Sequence, residues 1–440
     1  MTPIVAIVGR PNVGKSTLFN RFAGKDLAIV HDEPGVTRDR HYADAHLHGR
    51  EVTLVDTGGF DPTSTDAIGR GIARHVEAAI AEADVILCVL DGTVSPTPTD
   101  REAVDLLRRS KKPVLYAANK SDDDKKALLA NDLYTLGLPR VFPISAAHGR
   151  GLAELEAALV EVLPPPAGER PKEDEGIPHV AIVGRPNAGK SSLFNRLAGE
   201  ERSLVDDRPG TTVDPVDTRI ELEGRPAIVV DTAGVRRKSR VAPGVETASV
   251  MRAIRAVGRA DVVVLLCDAT EPVAEQDARL LGLVAARGRG LVVGLSKSDL
   301  LTSKQEKTRA LEAAADVLRF ASWAPISLVS SKTGEGVREL SANVVKSWEA
   351  FHRRVPTAEL NRFFGEVLER KPPPTHGGRA PRLYYITQAE TAPPVFVVMC
   401  SHPEAVKASY RRFVSNQIRV VFGFEAVPVI VHFRSRSRRD

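Results

Sequence analysis

The sequence predicts an α/β protein: two domains with mostly parallel sheets flanked by helices, followed by a small α+β domain. Three observations carry that reading. The segment Gly9-Arg-Pro-Asn-Val-Gly-Lys-Ser16 returns as Gly184-Arg-Pro-Asn-Ala-Gly-Lys-Ser191, each followed by Leu-Phe-Asn-Arg. Lys15 and Lys190, Thr37 and Thr212, and Asp56 and Asp231 all stand 175 residues apart, so one domain occurs twice. Within each copy, short Val/Ile/Leu runs alternate with helix-length segments, as in a parallel sheet buried on both faces. Beyond about residue 350 that alternation stops.

Taken in order, strands are expected at Ile4–Val8, Val52–Val55, Val85–Leu90 and Val114–Ala118, then at Val180–Val183, Ala227–Val230, Val262–Leu266 and Leu291–Leu295. Pro164 to Gly176 is rich in proline and charge without apolar periodicity, which suits a mobile, extended linker. The last part reads as helix Thr357–Arg370, strands Arg382–Gln388 and Val395–Met399, helix Glu404–Asn416 and strand Pro428–Phe433. The expected domains are 1–163, a linker 164–177, 178–350, 351–433 and a short basic tail 434–440 without fixed structure.

A chain of 440 residues with 42% hydrophobic and 27% charged residues has ordinary globular composition, which argues against a membrane protein or a largely disordered one. Apolar runs such as Val262 to Cys267 fall far short of the ~20 residues that span a bilayer. The start, Met1 to Arg10, lacks a basic region and a cleavage signal, so a cytoplasmic location is expected. Cys88, Cys267 and Cys400 lie far apart in apolar segments and read as single buried thiols. Net charge is +5, yet from Pro356 onward thirteen Lys and Arg face seven Asp and Glu, so the excess sits in the third domain.

Gly-x-x-x-x-Gly-Lys-Ser between a strand and a helix has a mechanical meaning. Gly9 and Gly14 permit a turn that aims backbone N–H groups at phosphates, Lys15 adds a point charge, and Ser16, followed by Thr17, offers a hydroxyl to Mg2+. Gly184, Gly189, Lys190, Ser191 and Ser192 repeat the set. Downstream, Thr37 and Thr212 fall where a loop brings a hydroxyl and an amide to the metal and the γ-phosphate. Asp56-Thr-Gly-Gly59 and Asp231-Thr-Ala-Gly234 place a carboxylate near the metal and a glycine amide near the γ-phosphate. The expected metal ligands are therefore Ser16, Thr37 and Asp56, then Ser191, Thr212 and Asp231. The groups expected to act in the reaction are Lys15, Thr37 and Gly59, with Lys190, Thr212 and Gly234.

Base choice is read from Asn119-Lys120-Ser121-Asp122. A carboxylate there accepts from both N1–H and N2–H of guanine, whereas adenine would leave its charge without a donor. The segments Ser145-Ala146 and Ser330-Ser331 follow apolar strands and would cover the O6 edge with backbone amides. The expected ligands are GTP and GDP.

These ordered motifs resemble a TRAFAC-class GTPase domain. Two such domains ahead of a small basic unit resemble the Der (EngA) family of bacterial ribosome-assembly GTPases, whose last domain is KH-like. The likeness runs through both phosphate loops, Asp231-Thr-Ala-Gly-Val-Arg-Arg-Lys238, Lys371-Pro-Pro-Pro374, Tyr384-Tyr-Ile-Thr-Gln388 and Pro393-Pro-Val-Phe396. It implies GTP hydrolysis coupled to maturation of the large ribosomal subunit through contacts with its rRNA, by a monomer when off the ribosome. It also implies K+ held partly by Asn12 and Asn187, the phosphate-loop asparagines.

This chain departs from the family pattern at Ser296-Lys297-Ser298-Asp299, where asparagine is usual at the first position. Asp299 keeps the guanine-accepting carboxylate and Lys297 can still cover the ring, so specificity is expected to survive with altered affinity. Phe60 and Val235 follow the Asp-x-x-Gly motifs where a water-orienting glutamine would stand, so slow intrinsic hydrolysis is expected.

Arg236-Arg-Lys-Ser-Arg240 reads either as a solvated face or as charge that nucleotide-dependent motion shows to RNA. Lys407, Arg411 and Arg412 nearly share a helix face, but no Gly-x-x-Gly stands between residues 350 and 440 to clamp a nucleic-acid backbone. His31, His41, His46 and His48 cluster without a completing ligand and read as surface residues, with His46 and His48 on one strand face. The alternative function is a nucleotide-gated RNA or membrane-surface module with incidental turnover. The sequence shows no amphipathic anchor or lipidation signal to favour the membrane version.

Overall fold

A computed structural model describes residues 2–24, 42–57, 77, 79–165, 174–200, 217–232, 245–375 and 381–435. Two compact units emerge, Met1–Arg170 with Ser239–Gly258, and Pro171–Lys238 with Arg259–Asp440.

The first unit is built on β1 (Ile4–Val8), β2 (Tyr42–Leu47), β3 (Arg50–Asp56), β4 (Val85–Asp91), β5 (Val114–Asn119) and β6 (Val141–Pro143), in the order β2-β3-β1-β4-β5-β6. All neighbours run parallel except β2 against β3. Every residue of β1 and β4 is buried, which explains their unbroken apolar runs. The helices α1 (Lys15–Ala23), α2 (Pro98–Arg108), α3 (Asp124–Leu129) and α4 (Leu152–Val162) connect the strands. Because β1 is flanked by β3 on one side and β4 on the other, its carboxyl end is the point where the strand order reverses. Open α/β sheets form their crevices at such a point.

The second repeat follows this plan with β7 (His179–Val183), α5 (Lys190–Glu200), β8 (Thr218–Leu222), β9 (Arg225–Val229), α6 (Val245–Arg259), β10 (Val262–Asp268), α7 (Glu275–Ala286), β11 (Gly290–Ser296), α8 (Lys304–Val317), β12 (Ile326–Leu328) and α9 (Val337–Phe351). Its sheet order, β8-β9-β7-β10-β11-β12, matches the first strand for strand. The part of α6 up to Gly258 clusters with the first unit, where Arg252 and Arg255 pair with Glu82 and Asp84.

The second unit also holds α10 (Thr357–Arg370), β13 (Leu383–Glu390), β14 (Val395–Cys400), α11 (Ala408–Phe422) and β15 (Ile430–Ser435). Strand β14 lies between antiparallel β13 and parallel β15. Its core joins Leu360, Phe364, Ile386, Phe396, Val414 and Phe424, each no more than 1% exposed. Burying one such side chain is worth ~1.5–3 kcal/mol. The strand Val395–Met399 is thus a core strand, with Phe396 meeting Phe424 edge-on at 5.6 Å.

Five local expectations change. The helix expected at Glu404–Asn416 starts at Ala408, after a 3-10 turn at Pro403–Ala405, and runs on to Phe422. Arg434 and Ser435, read as tail, are the last residues of β15. His46 lies in β2, but His48 turns out of the strand at φ 44°, so the two share no strand face. At the end of the stretch read as linker, Asp174 is buried and paired with Arg219 at 2.8 Å, so that end is anchored. Strand β8, which sequence periodicity did not separate, pairs antiparallel with β9.

Candidate functional site

Both sequence-predicted phosphate loops leave the carboxyl end of a fully buried strand and enter a helix. In the first, Gly9 (φ 149°), Asn12 (φ 66°) and Gly14 (φ 92°) all take backbone conformations on the positive-φ side, and Gly184 (146°), Asn187 (64°) and Gly189 (87°) match them. A Cβ on Gly9 would lie 2.3 Å from the carbonyl oxygen of Val89, and one on Gly184 2.2 Å from that of Leu266, so the loop can hug the neighbouring strand only as glycine.

Lys15 folds back into its own loop and donates from Nζ to the Arg10 carbonyl at 2.9 Å; Lys190 donates to the carbonyls of Gly184 and Arg185 at 2.8 and 2.6 Å. Burial lowers the Lys15 pKa below its ordinary value, with Asp56 pulling the other way. An ammonium that donates to carbonyl oxygens of its own loop is poised for an anion of higher charge.

Ser16 and Asp56, far apart in sequence, meet where α1 begins and β3 ends: Ser16 Oγ donates to Asp56 Oδ2 at 2.7 Å. A hydroxyl beside a buried carboxylate is an all-oxygen donor pair of the kind Mg2+ takes. In the second repeat Asp231 sits at φ 56° with its backbone N–H bonded to Asp217 at 3.1 Å. Thr17 and Ser192 are the third residues of α1 and α5. Thr37, Gly59, Phe60, Thr212, Gly234, Val235 and Arg236–Arg240 lie outside the described residues.

The motif expected from the sequence to read the base begins at the last residue of β5. Asn119 is buried, and its side-chain amide bridges two loops: Nδ2 donates to the Val13 carbonyl at 2.8 Å, and Oδ1 accepts from the Ala146 N–H at 2.9 Å. Asp122 accepts from Lys126 at 2.8 Å and from Ser145 Oγ at 2.7 Å, which holds its carboxyl below the ordinary aspartate range, Lys126 first and Ser145 second. In the second repeat Asp299 accepts from Ser330 Oγ at 2.6 Å, and its carboxyl is lowered chiefly by that bond. Lys120 (φ 71°) and Lys297 (φ 59°) each turn to pair with an aspartate, Asp91 and Asp268. Burial raises both aspartates, but hydrogen bonds from the lysine and from Thr93 or Thr270 outweigh it and leave them low. Ser331 lies beside Ser330 in the loop after β12, as Ala146 lies beside Ser145 after β6.

Sequence reasoning missed the residues that lock this cradle. Arg10, inside the phosphate loop, pairs with Asp91 and Asp100, both at 3.5 Å. Arg185 pairs with Asp277 at 2.9 Å and Glu271 at 3.3 Å. Asp100 and Asp277 also close the first turn of α2 and α7, so one carboxylate caps a helix and anchors a loop. Arg21 reaches from α1 to the carbonyls of Ala146 and Ala147, and Arg196 from α5 to those of Ser331 and Lys332. The signal was available: Arg21 and Arg196 end the repeated Leu-Phe-Asn-Arg, and Asp91 with Asp268, and Asp100 with Asp277, stand at one common spacing of 177 residues.

The basic residues of the third domain are less free than their sequence suggests. Arg411 donates to the carbonyls of Val406 (3.1 Å) and Pro403 (2.6 Å) and stacks 4.8 Å over Phe433, so it fastens the start of α11. Lys407 is exposed at the same end and Arg412 is half-buried. Among the described residues no helix is long and apolar enough to cross a membrane, and the three cysteines are free and buried.

A family described as 50S ribosome-binding GTPase matches residues 4–120 and again 179–297. A second, described as the KH-domain-like C-terminal part of EngA bacterial GTPase enzymes, matches residues 354–434. The chain is 46% identical over 440 residues to the GTPase Der of Moorella thermoacetica, covering 99% of each chain. It is 43% identical to that of Myxococcus xanthus, covering 99% of this chain and 96% of the relative, and 44% identical to that of Caldanaerobacter subterraneus, covering 99% of each.

Proposed function

The chain belongs to the Der (EngA) family of GTPases and hydrolyses GTP, and from that premise we propose that both of its cradles bind guanine nucleotide and that their state governs docking to the large ribosomal subunit. The observation that carries the two-site reading is the doubled base clamp. Ser145 orients Asp122 and Ser330 orients Asp299, each by one short hydrogen bond, on sheets of identical strand order. A carboxylate already held ionised and aimed accepts two N–H groups of guanine without reorganising.

The phosphate end works by electrostatics. Lys15 and Lys190 exchange carbonyl partners for the β- and γ-phosphates, and the amides of each phosphate loop, curved by Gly9 and Gly14 or by Gly184 and Gly189, line the same charge. Ser16 and Asp56, and Ser191 and Asp231, are the described residues that would hold Mg2+; when bound, it neutralises charge on the β- and γ-oxygens. Thr37 and Thr212 are proposed to complete that shell, and Gly59 and Gly234 to read the γ-phosphate by their amides. The loss of that phosphate releases both loops. With Phe60 and Val235 where a glutamine would orient water, the exposed asparagines Asn12 and Asn187 are each proposed to help hold a K+ in their own cradle, where it would offset transition-state charge.

The proposed domains are 1–163 and 174–350 for the GTPase units, joined through 164–173, and 351–435 for the KH-like unit, acting as a cytoplasmic monomer off the ribosome. Phosphate contacts from its basic surface would favour rRNA and weaken steeply with salt. Calorimetric titration of GTP tests the nucleotide reading: two sites are expected, with Asp122→Asn and Asp299→Asn each removing one, and ATP giving no heat. Co-sedimentation with large ribosomal subunits in GTP analogue, GDP and no nucleotide tests the partner; equal recovery in all three would overturn nucleotide control.

A further inference from the structure

The two cradles differ at the residue that ties their loops together. In the first, the Asn119 amide uses both ends, one on the phosphate loop at Val13 and one on the base loop at Ala146. Ser296 stands in its place, equally buried, and its hydroxyl lies between the carbonyls of Ala188, at 2.8 Å, and Cys267, at 3.1 Å. A hydroxyl has one proton, so it serves one of these acceptors at a time. Ala188 is the counterpart of Val13, so the phosphate-loop tie is kept. Cys267 lies on β10, so the second acceptor is strand backbone, and the serine makes no counterpart of the Asn119–Ala146 bond.

Two further measurements point the same way. A Cβ on Gly14 would come within 2.2 Å of Asn119 Nδ2, whereas a Cβ on Gly189 meets nothing nearer than Ser296 at 3.6 Å. The room that the asparagine amide fills in the first cradle is therefore open in the second. The outer tie is longer as well: Arg21 Nε reaches Ala146 at 2.8 Å, while Arg196 reaches Ser331 and Lys332 at 3.5 and 3.4 Å. Beyond about 3.2 Å an N–H···O bond has lost much of its strength.

Resting on the reading that both cradles take guanine nucleotide, we infer that Ser296 uncouples the phosphate loop from the base loop in the second cradle and makes it the fast-releasing site of the pair. In the first, closing on the base and closing on the phosphates are one event, because Asn119 and Arg21 join the loops before ligand arrives. In the second, Ser296 adds no bond to the base loop, so bound nucleotide must do more of the holding and either end lets go more readily. Preorganisation of this kind acts on the dissociation rate. Ser296 is a positioning residue in this account, and Asp299 retains the choice of base.

The test is stopped-flow release of N-methylanthraniloyl-GDP from the full chain, chased by excess GDP. Two phases are expected, and Asp299→Asn should remove the faster. Ser296→Asn should slow that phase alone by about fivefold, near the worth of one hydrogen bond, and Asn119→Ser should speed the slow phase by a similar factor. The double exchange, Asn119→Ser with Ser296→Asn, should reverse which site is fast, a result that general loosening of the fold would not produce. One common release rate in the wild type, or a fast phase that Ser296→Asn leaves unchanged, would overturn this inference alone. Failure of the wild-type chain to bind the fluorescent GDP would overturn the nucleotide reading beneath it.

Discussion

Arg21, on the helix that follows the first phosphate loop, donates from Nε to the carbonyl oxygen of Ala146 at 2.8 Å, joining residues 125 apart. The contact makes the loop after β6 lean on the same helix that leaves the first Gly-x-x-x-x-Gly-Lys-Ser loop, where the phosphates are proposed to bind. Arg21→Ala is therefore expected to weaken GDP binding at the first cradle by about tenfold, the value of a charge-assisted bond, with base preference intact. Arg196→Ala, which gives up longer bonds, should change the second by less than half as much on a logarithmic scale. Calorimetry on each variant measures both.

Gly14 and Gly189 hold nearly the same positive φ, so alanine at either costs ~1–2 kcal/mol of backbone strain. Only at Gly14 does the new Cβ also strike a side chain, Asn119 Nδ2 at 2.2 Å, and break its bond to Val13. Gly14→Ala should thus destabilise the chain by about 1–3 kcal/mol more than Gly189→Ala, the cost of leaving buried polar groups without partners. Urea unfolding of the two variants checks the difference, and equal costs would refute it.

Ala426 is one of the residues that stitch the KH-like part to the second sheet. Ala426, at φ 59°, accepts from the Leu291 N–H at 2.8 Å and from Ser347 Oγ at 2.9 Å, and donates to Trp323 at 3.3 Å. Ser347→Ala should cost ~1 kcal/mol, one buried hydrogen bond. Gly290→Ala should cost more, because its Cβ would lie 2.3 Å from the Ser347 hydroxyl and would push it off Ala426. Limited proteolysis should cut near Ala426 sooner in Gly290→Ala than in the wild type.

The Asp122 carboxyl is depressed by Lys126 and Ser145. A carboxyl whose folded pKa lies below its ordinary value stays ionised as pH falls through the usual aspartate range, about 3.9, and loses its contribution only below that. Lys126→Met removes the larger cause and should move the acid loss of GDP binding at the first cradle to higher pH. A fluorescence titration between about pH 6 and 3.5 shows the shift; coincident curves would refute it.

Burial pushes the Cys88 thiol up to about 12 and raises Cys267 as well, and Cys400 is likewise buried and raised. At pH 8 the folded chain should react with a thiol-specific dye only as fast as it opens. Denaturant should release all three thiols at once.

Much of the fold and the site was written locally. Alternation of apolar runs with helix-length segments identified the sheets because buried parallel strands need continuous apolar sequence, and the helix Thr357–Arg370 was placed to the residue. Less legible were β8, short and half-buried with no run to announce it, and the start of α11, set by a 3-10 turn and by Arg411 reaching back to Pro403. A sequence assigns Arg411 a charge; only packing shows that the charge is spent on carbonyl oxygens of its own domain.

By itself the sequence determined that one domain occurs twice, that each copy carries a Gly-x-x-x-x-Gly-Lys-Ser loop and an aspartate proposed to read guanine, and that Ser296 stands where the first copy has Asn119. Those facts depend on residue type and spacing along one chain, where glycines, a lysine and a carboxylate act through properties they carry anywhere. Which residues join the loops was decided by tertiary structure alone, because Asn119 meets Val13 across 106 residues and Arg10 meets Asp91 across a sheet. A hydrogen bond requires atoms within about 3 Å of each other, a condition that no one-dimensional pattern states.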